Sequence, residues 1–98
     1  TQRIFMQKLN YPLNDYIKAV EIILKRKGLS HLKCFEGSKG SAVHFDLFEK
    51  DETKPIAMWQ VHTEHNARRK ITSKEDYKKA CRFLGITMDE FIEVLNDL

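Results

Sequence analysis

The clearest hydrophobic pattern in the chain is a strict alternation near its middle. Apolar residues occupy every second position of this segment, at Val43, Phe45 and Leu47. The positions between them hold Ala42, His44 and Asp46. A period of two is typical of a strand with unlike faces, so the first set should face a core and the second should face outwards. A second apolar run over 56–62 follows a polar turn, and this spacing predicts a β-hairpin.

Helical periodicity appears first between Asn14 and Gly28. Asn14 is the expected N-cap, and Gly28 is the expected left-handed stop after a basic last turn. The expected buried stripe consists of Ile17, Val20, Ile23 and Leu24. The segment therefore predicts an amphipathic helix over about 14–27.

Two further helices are predicted near the end of the chain. Thr72 with Glu75, and Thr87 with Glu90, have the spacing of capping boxes. The first helix should end at Gly85. The expected buried residues are Tyr77, Ala80, Cys81 and Leu84 in the first helix and Phe91, Val94, Leu95 and Leu98 in the second.

With a short strand over 32–36, the order of elements predicts an α+β domain. It is α-β-β-β-α with a three-stranded antiparallel sheet and an extra C-terminal helix, which is the order of the double-stranded-RNA-binding-like fold. Helices should cover one sheet face and leave the other open. We expect one domain over 1–98, in which 1–13 is an extension without an assigned structure, and further residues before Thr1.

Composition narrows the class of protein. The 98 residues are 42% hydrophobic, and no apolar run approaches the ~20 residues that span a bilayer. Without a secretory leader pattern, we expect a cytoplasmic protein with no membrane partner. Cys34 and Cys81 lack the CxxC spacing of metal sites, so we expect two buried thiols, no metal and no cofactor.

The charge distribution indicates a surface for a polyanion. The net charge is +3, the middle of the chain is basic, and the last twelve residues carry acidic groups without Lys or Arg. Ordinary solvated charge is the alternative interpretation. Because basic groups bind phosphate, and a helix N-terminus near Ser73 would reinforce them, the candidate RNA contacts are Lys39, Arg68, Arg69 and Lys70.

The stretch 37–45, GSKGSAVHF, carries a resemblance to a known family. A helix that ends in glycine precedes it, and a basic segment and the tail ITMDEFIEVL follow it. In this order the chain resembles, over about 14–95, the HicA mRNA-interferase toxins of type II toxin–antitoxin systems. The resemblance implies a metal-independent endoribonuclease that cleaves mRNA and blocks translation, a cognate HicB-like antitoxin as partner, and RNA contacts at Gly40 and Ser41.

The chain departs from that family at its catalytic position. The family has a Gly-Ser-His motif whose histidine is regarded as the general acid/base. In this chain Ala42 occupies the position of that histidine. Cleavage by a ribose 2′-hydroxyl needs proton transfer, which imidazole performs and a methyl group cannot. The loss typically costs ~10²–10⁴-fold in rate, so we expect a poor nuclease. An engineered detoxifying change explains the alanine, and we favour that explanation over a natural alanine in a relative or an unrelated protein.

Other residues leave alternatives open. His44 shares the face of Ala42 and is a second candidate for catalysis, or it is an ordinary polar residue of an open face. His62 and His65 are loop histidines, or reserve catalysts if Ala42 is natural. Trp59 is expected in the core rather than stacked on a base. The competing functions are a non-catalytic RNA-binding module and a protein-binding adaptor that uses the last helix.

Overall fold

The computed structural model describes residues 9–28, 31–36, 42–49, 53–64 and 69–98. Within these ranges the chain is a small α+β protein with three helices and a three-stranded antiparallel sheet. The strands are β1 (Tyr11–Pro12), β2 (His31–Glu36), β3 (Ala42–Phe48), β4 (Ala57–His62) and β5 (Lys70–Ile71). The helices are α1 (Leu13–Arg26), α2 (Lys74–Leu84) and α3 (Met88–Asn96).

The main sheet has the strand order β2-β3-β4, and the hairpin predicted from the alternation is confirmed. Val43, Phe45 and Leu47 are buried, whereas the residues between them are half-buried. On β4, Trp59 and Val61 are buried and Met58 is 64% exposed. Trp59 therefore packs in the core as expected, because the pleat turns odd-numbered side chains of both strands towards the helices.

The helices bury the stripes that the sequence indicates, with additions. In α1 the buried set is Leu13, Tyr16, Ala19, Val20, Ile23 and Leu24, while Ile17 is half-buried. All four residues expected in α2 are buried. In α3, Phe91, Val94 and Leu95 are buried, but Leu98 is 49% exposed because it lies beyond the last helical turn.

Two predicted helix starts are wrong. α1 begins at Leu13, before Asn14, because Leu13 is buried and its N–H donates to the carbonyl oxygen of Arg69 at 3.1 Å. α2 has Ser73 at its N-cap, and the Glu75 carboxylate lies 3.6 Å from Lys78 rather than serving a capping box with Thr72.

The remaining helix signals are confirmed. The Thr87 hydroxyl oxygen accepts a hydrogen bond from the Glu90 N–H at 3.1 Å. Gly28 and Gly85 have φ values of 70° and 68°, which glycine adopts at little cost.

The region before α1 contains a strand that the sequence did not indicate. Tyr11 and Pro12 in β1 pair with Ile71 and Lys70 in β5, which forms a two-stranded antiparallel sheet. Leu9 is also buried. Part of the predicted 1–13 extension is therefore integrated with the core. Only long-range pairing defines such a two-residue strand, so local periodicity carries no signal for it.

Both cysteines are free thiols, but they differ in burial. Cys81 is buried in α2, as expected, and burial raises the pKa of its thiol to about 11. Cys34 is exposed, so the prediction of two buried thiols is wrong for this residue. The reason is its position on β2, an edge strand of the sheet.

Candidate functional site

The face of the main sheet that points away from the core gathers polar side chains. We define the open face as the half-buried and exposed residues, among those described, that share this side of the three strands: Lys33, Ala42, His44, Asp46, Met58, Gln60 and His62. Cross-strand partners point to the same side of a sheet, so the register places them together. The sequence-predicted residues Ala42 and His44 both lie on this face.

The register brings the histidines of the two strands close to each other. Ala42 pairs with His62, and His44 pairs with Gln60 in the next row. His44 and His62 are therefore diagonal neighbours, which typically lie ~7–8 Å apart in antiparallel sheets. His62 is the last residue of β4, which agrees with the predicted strand over 56–62, so the interpretation of His62 as an ordinary loop histidine is wrong.

Contacts with α2 orient the end of β4. The His62 N–H donates to Asp76 Oδ2 at 3.0 Å, and the Gln60 carbonyl accepts from Lys79 Nζ at 3.4 Å. These backbone groups point away from β3, so Ala42–His62 and His44–Gln60 are non-hydrogen-bonded pairs. Such pairs bring their Cα atoms to about 4.5 Å and their side chains closest together.

Asp76 is the residue that fixes this edge, and no local sequence pattern distinguishes it. It lies in the first turn of α2, is only 2% exposed, and its Oδ1 lies 3.6 Å from Lys79 Nζ. A buried carboxylate needs such donors, and here they include the N–H of the candidate residue His62. Acidic residues are common in the first turn of helices, so the sequence alone could not show that Asp76 binds the His62 N–H.

Several of the candidate RNA contacts lie outside the described residues. They are Lys39, Gly40, Ser41 and Arg68, and the same holds for His65. Arg69 is half-buried, and its carbonyl oxygen accepts the Leu13 N–H at 3.1 Å at the start of α1. Arg69 stays a predicted RNA contact.

The other described basic candidate is held by backbone pairing. Lys70 is half-buried in β5, and its carbonyl accepts a hydrogen bond from the Glu64 N–H at 3.0 Å. Lys33, which was only part of the general basic pattern, lies on the open face opposite Asp46. Its ammonium nitrogen is 5.2 Å from the ring centroid of Phe48, a cation–π contact.

A shallow depression occupies the centre of the open face. It has a volume of about 360 Å³ and is lined by His44, Asp46, Met58, Trp59 and Gln60. The depression combines imidazole, carboxylate and amide groups with an exposed thioether. The cross-strand pair of Ala42 and His62 lies beside the depression, two residues from His44 on β3 and two residues from Gln60 on β4.

Comparisons with known proteins add no identity to this geometry. No protein-family model, no curated protein and no solved structure matches the chain. The HicA resemblance therefore stays a prediction from the sequence. Across the described ranges, none of the helices has the length and apolar character needed to cross a membrane.

Proposed function

We propose that the chain is an RNA-directed protein of the HicA toxin type, which binds mRNA across its open face. The observation that carries the proposal is the row formed by Ala42 and His62, with His44 in the adjacent row. In the HicA toxins that the chain resembles, the catalytic histidine occupies the position of Ala42. The half-buried Ala42 lies on the open face with His62 and His44 as its neighbours.

The proposed chemistry is metal-independent cleavage of RNA. A general base removes the proton of a ribose 2′-hydroxyl, whose oxygen attacks the adjacent phosphorus. A general acid then protonates the departing 5′-oxygen. Ala42 supplies neither group. RNA binding survives in this proposal, because phosphate and base contacts do not require the missing imidazole, but cleavage is slow.

The finer fold assignment belongs to this proposal as well. Helix α1 precedes a three-stranded meander, α2 follows it, and α3 is an additional C-terminal helix, which supports the double-stranded-RNA-binding-like arrangement. A HicB-like antitoxin is the proposed protein partner, and the cytoplasm is the proposed compartment. Two exposed apolar side chains, Met58 at 64% and Ile56 at 49%, suit contact with such a partner.

The experiment that tests the proposal is Ala42→His, compared with the present chain. The new imidazole would stand opposite His62, at the ~4.5–5.5 Å Cβ separation of cross-strand pairs. We expect RNA cleavage to rise by about 10²–10⁴-fold and expression to arrest growth. Ala42→Gln is the control, because it adds a polar side chain of similar reach that transfers no proton at neutral pH.

The same experiment evaluates the second candidate, a non-catalytic RNA-binding module. Ala42 itself favours that candidate, because a protein that only binds RNA needs no proton-transfer group at this position. Salt-sensitive RNA binding without cleavage by a folded Ala42→His protein would support the module and contradict the ribonuclease.

A further inference from the structure

The depression on the open face has the composition of a small-ligand site. Its volume of about 360 Å³ is at the lower end of the range for ligand pockets. Met58 lines it with an exposed, flexible thioether, a group that packs well against aromatic rings. The site therefore offers an apolar surface to a flat ring and polar groups to that ring's edge.

The strand beneath the depression is held rigidly at Trp59, whose side chain points to the opposite, helix-covered side of the sheet. The indole Nε1–H donates to the Tyr16 hydroxyl at 3.1 Å, and the ring stacks on Phe45 and Phe83 with centroid distances of 5.2 and 5.4 Å. These contacts fix β4 between Met58 and Gln60. A ligand therefore meets a preformed surface, which lowers the ordering cost of binding.

Asp46 limits what the ligand can be. A carboxylate on a surface that binds RNA repels phosphate, whereas it accepts hydrogen bonds from base donors. Its cross-strand neighbour Lys33 lies over the Phe48 ring. Guanine presents two adjacent donors, N1–H and the N2 amino group, which match the two oxygens of a carboxylate. Among the four RNA bases, only guanine has this pair on its Watson–Crick edge. The exposed Gln60 side chain carries a further donor and acceptor for the rest of the base.

The depression is also placed correctly relative to the proposed reaction site. Two residues along a strand correspond to about 6.6 Å, so the row of Ala42 and His62 lies one short step from His44 and Gln60. A base and the phosphate attached to its own sugar are separated by a comparable distance. A nucleotide can therefore seat its base in the depression while its phosphate lies at the Ala42 row.

We propose that this depression is a nucleobase subsite that selects an unpaired guanine in single-stranded RNA. The proposal rests on the RNA-directed function and adds the base that the open face recognises. RNA-binding proteins commonly recognise splayed bases through the Watson–Crick edge and stacking. Here Asp46 recognises the edge, and Met58 packs against the ring.

The test measures binding of four labelled pentaribonucleotides, UUGUU, UUAUU, UUCUU and UUUUU, by fluorescence anisotropy at low salt. We expect the present chain to bind UUGUU about 5- to 100-fold more tightly than the others, the range of a good bidentate base contact. Asp46→Asn should abolish that preference while leaving UUUUU binding unchanged or stronger, because a negative charge is removed. Asp97→Asn removes the same charge from an exposed position after α3 and should keep the preference.

The possible outcomes separate this proposal from the function on which it rests. Equal binding of all four pentamers, or an equal gain for all four in Asp46→Asn, would overturn the guanine subsite and leave RNA binding intact. Failure of every pentamer to bind would overturn both proposals. A second measurement follows the Met58 methyl resonance: guanosine monophosphate should shift it by ring current, and cytidine monophosphate at the same concentration should shift it much less.

Discussion

The Tyr16 hydroxyl takes part in two buried hydrogen bonds that join three elements. It donates to the Asp76 carbonyl oxygen at 2.7 Å and accepts from Trp59 Nε1 at 3.1 Å. The ring also contacts Phe45, Tyr77 and Phe91, with centroid distances of 5.3, 5.6 and 5.4 Å. Helix α1, strand β4 and helix α2 are therefore connected at one side chain beneath the open face.

At this scale we predict that Tyr16→Phe destabilises the protein by about 1–3 kcal/mol, since it leaves the buried Trp59 N–H without an acceptor and removes the bond to the Asp76 carbonyl oxygen. Urea unfolding followed by circular dichroism measures the change. Tyr11→Phe is the control: its hydroxyl donates to Asn96 Oδ1 at 2.6 Å in an exposed position. Water can replace that bond, so the loss should be smaller. Equal losses in the two variants would contradict the proposed role of Tyr16.

At the scale of elements, the two predicted capping boxes had different outcomes. Both follow the same local rule, Thr followed three residues later by Glu. Thr87 forms the bond to the Glu90 N–H, but α2 begins one residue after the expected site, with Ser73 as its N-cap. A local sequence pattern allows a helix to start at either of two adjacent residues, and tertiary packing decides which of them becomes the N-cap.

We predict that Thr87→Ala lowers the free energy of unfolding by about 1 kcal/mol, because α3 loses the acceptor for an N–H in its first turn. Thr72→Ala is the matched control and should change the free energy by less than ~0.5 kcal/mol, as expected for an exposed residue outside a cap. Both values come from denaturant unfolding at one pH. A larger loss for Thr72→Ala than for Thr87→Ala would contradict Ser73 as the N-cap of α2.

At the scale of the whole molecule, buried weak acids connect stability to alkaline pH. Burial is the main reason that the pKa of Tyr77 rises from 10.0 to about 12 and that of Cys81 from 9.0 to about 11. Burial also raises the pKa of Tyr16, and more strongly. Above pH 9 the unfolded chain loses these protons before the native chain does, so the native state binds more protons.

Stability should therefore be independent of these groups below about pH 9 and should fall between pH 9 and 12. We predict a urea midpoint that decreases from pH 9 to 11, measured with reductant present. Tyr77→Phe should reduce the slope above pH 10, although it also removes the hydrogen bonds of Tyr77 with the Ile71 carbonyl and the Tyr11 N–H. A midpoint that stays constant to pH 11 would contradict this linkage.

Local sequence was sufficient for those features that depend on neighbours along the chain. Alternation alone identified the two faces of β3, because successive side chains of a strand point to opposite sides. Helical spacing identified most of the buried residues, and Gly28 and Gly85 marked the ends of α1 and α2, because both require a left-handed backbone. The outward positions of Ala42 and His44 followed from the same alternation.

Tertiary structure decided which residues of different segments meet. Strand register placed His62 opposite Ala42, and α2 supplied Asp76 to orient it. The segment after β4 also meets the start of α1, because β1 pairs with β5 and the Leu13 N–H donates to the Arg69 carbonyl oxygen. Such contacts arise from the free energy of packing distant segments, which no local period encodes. The depression on the open face follows from this packing, because its walls come from both β3 and β4.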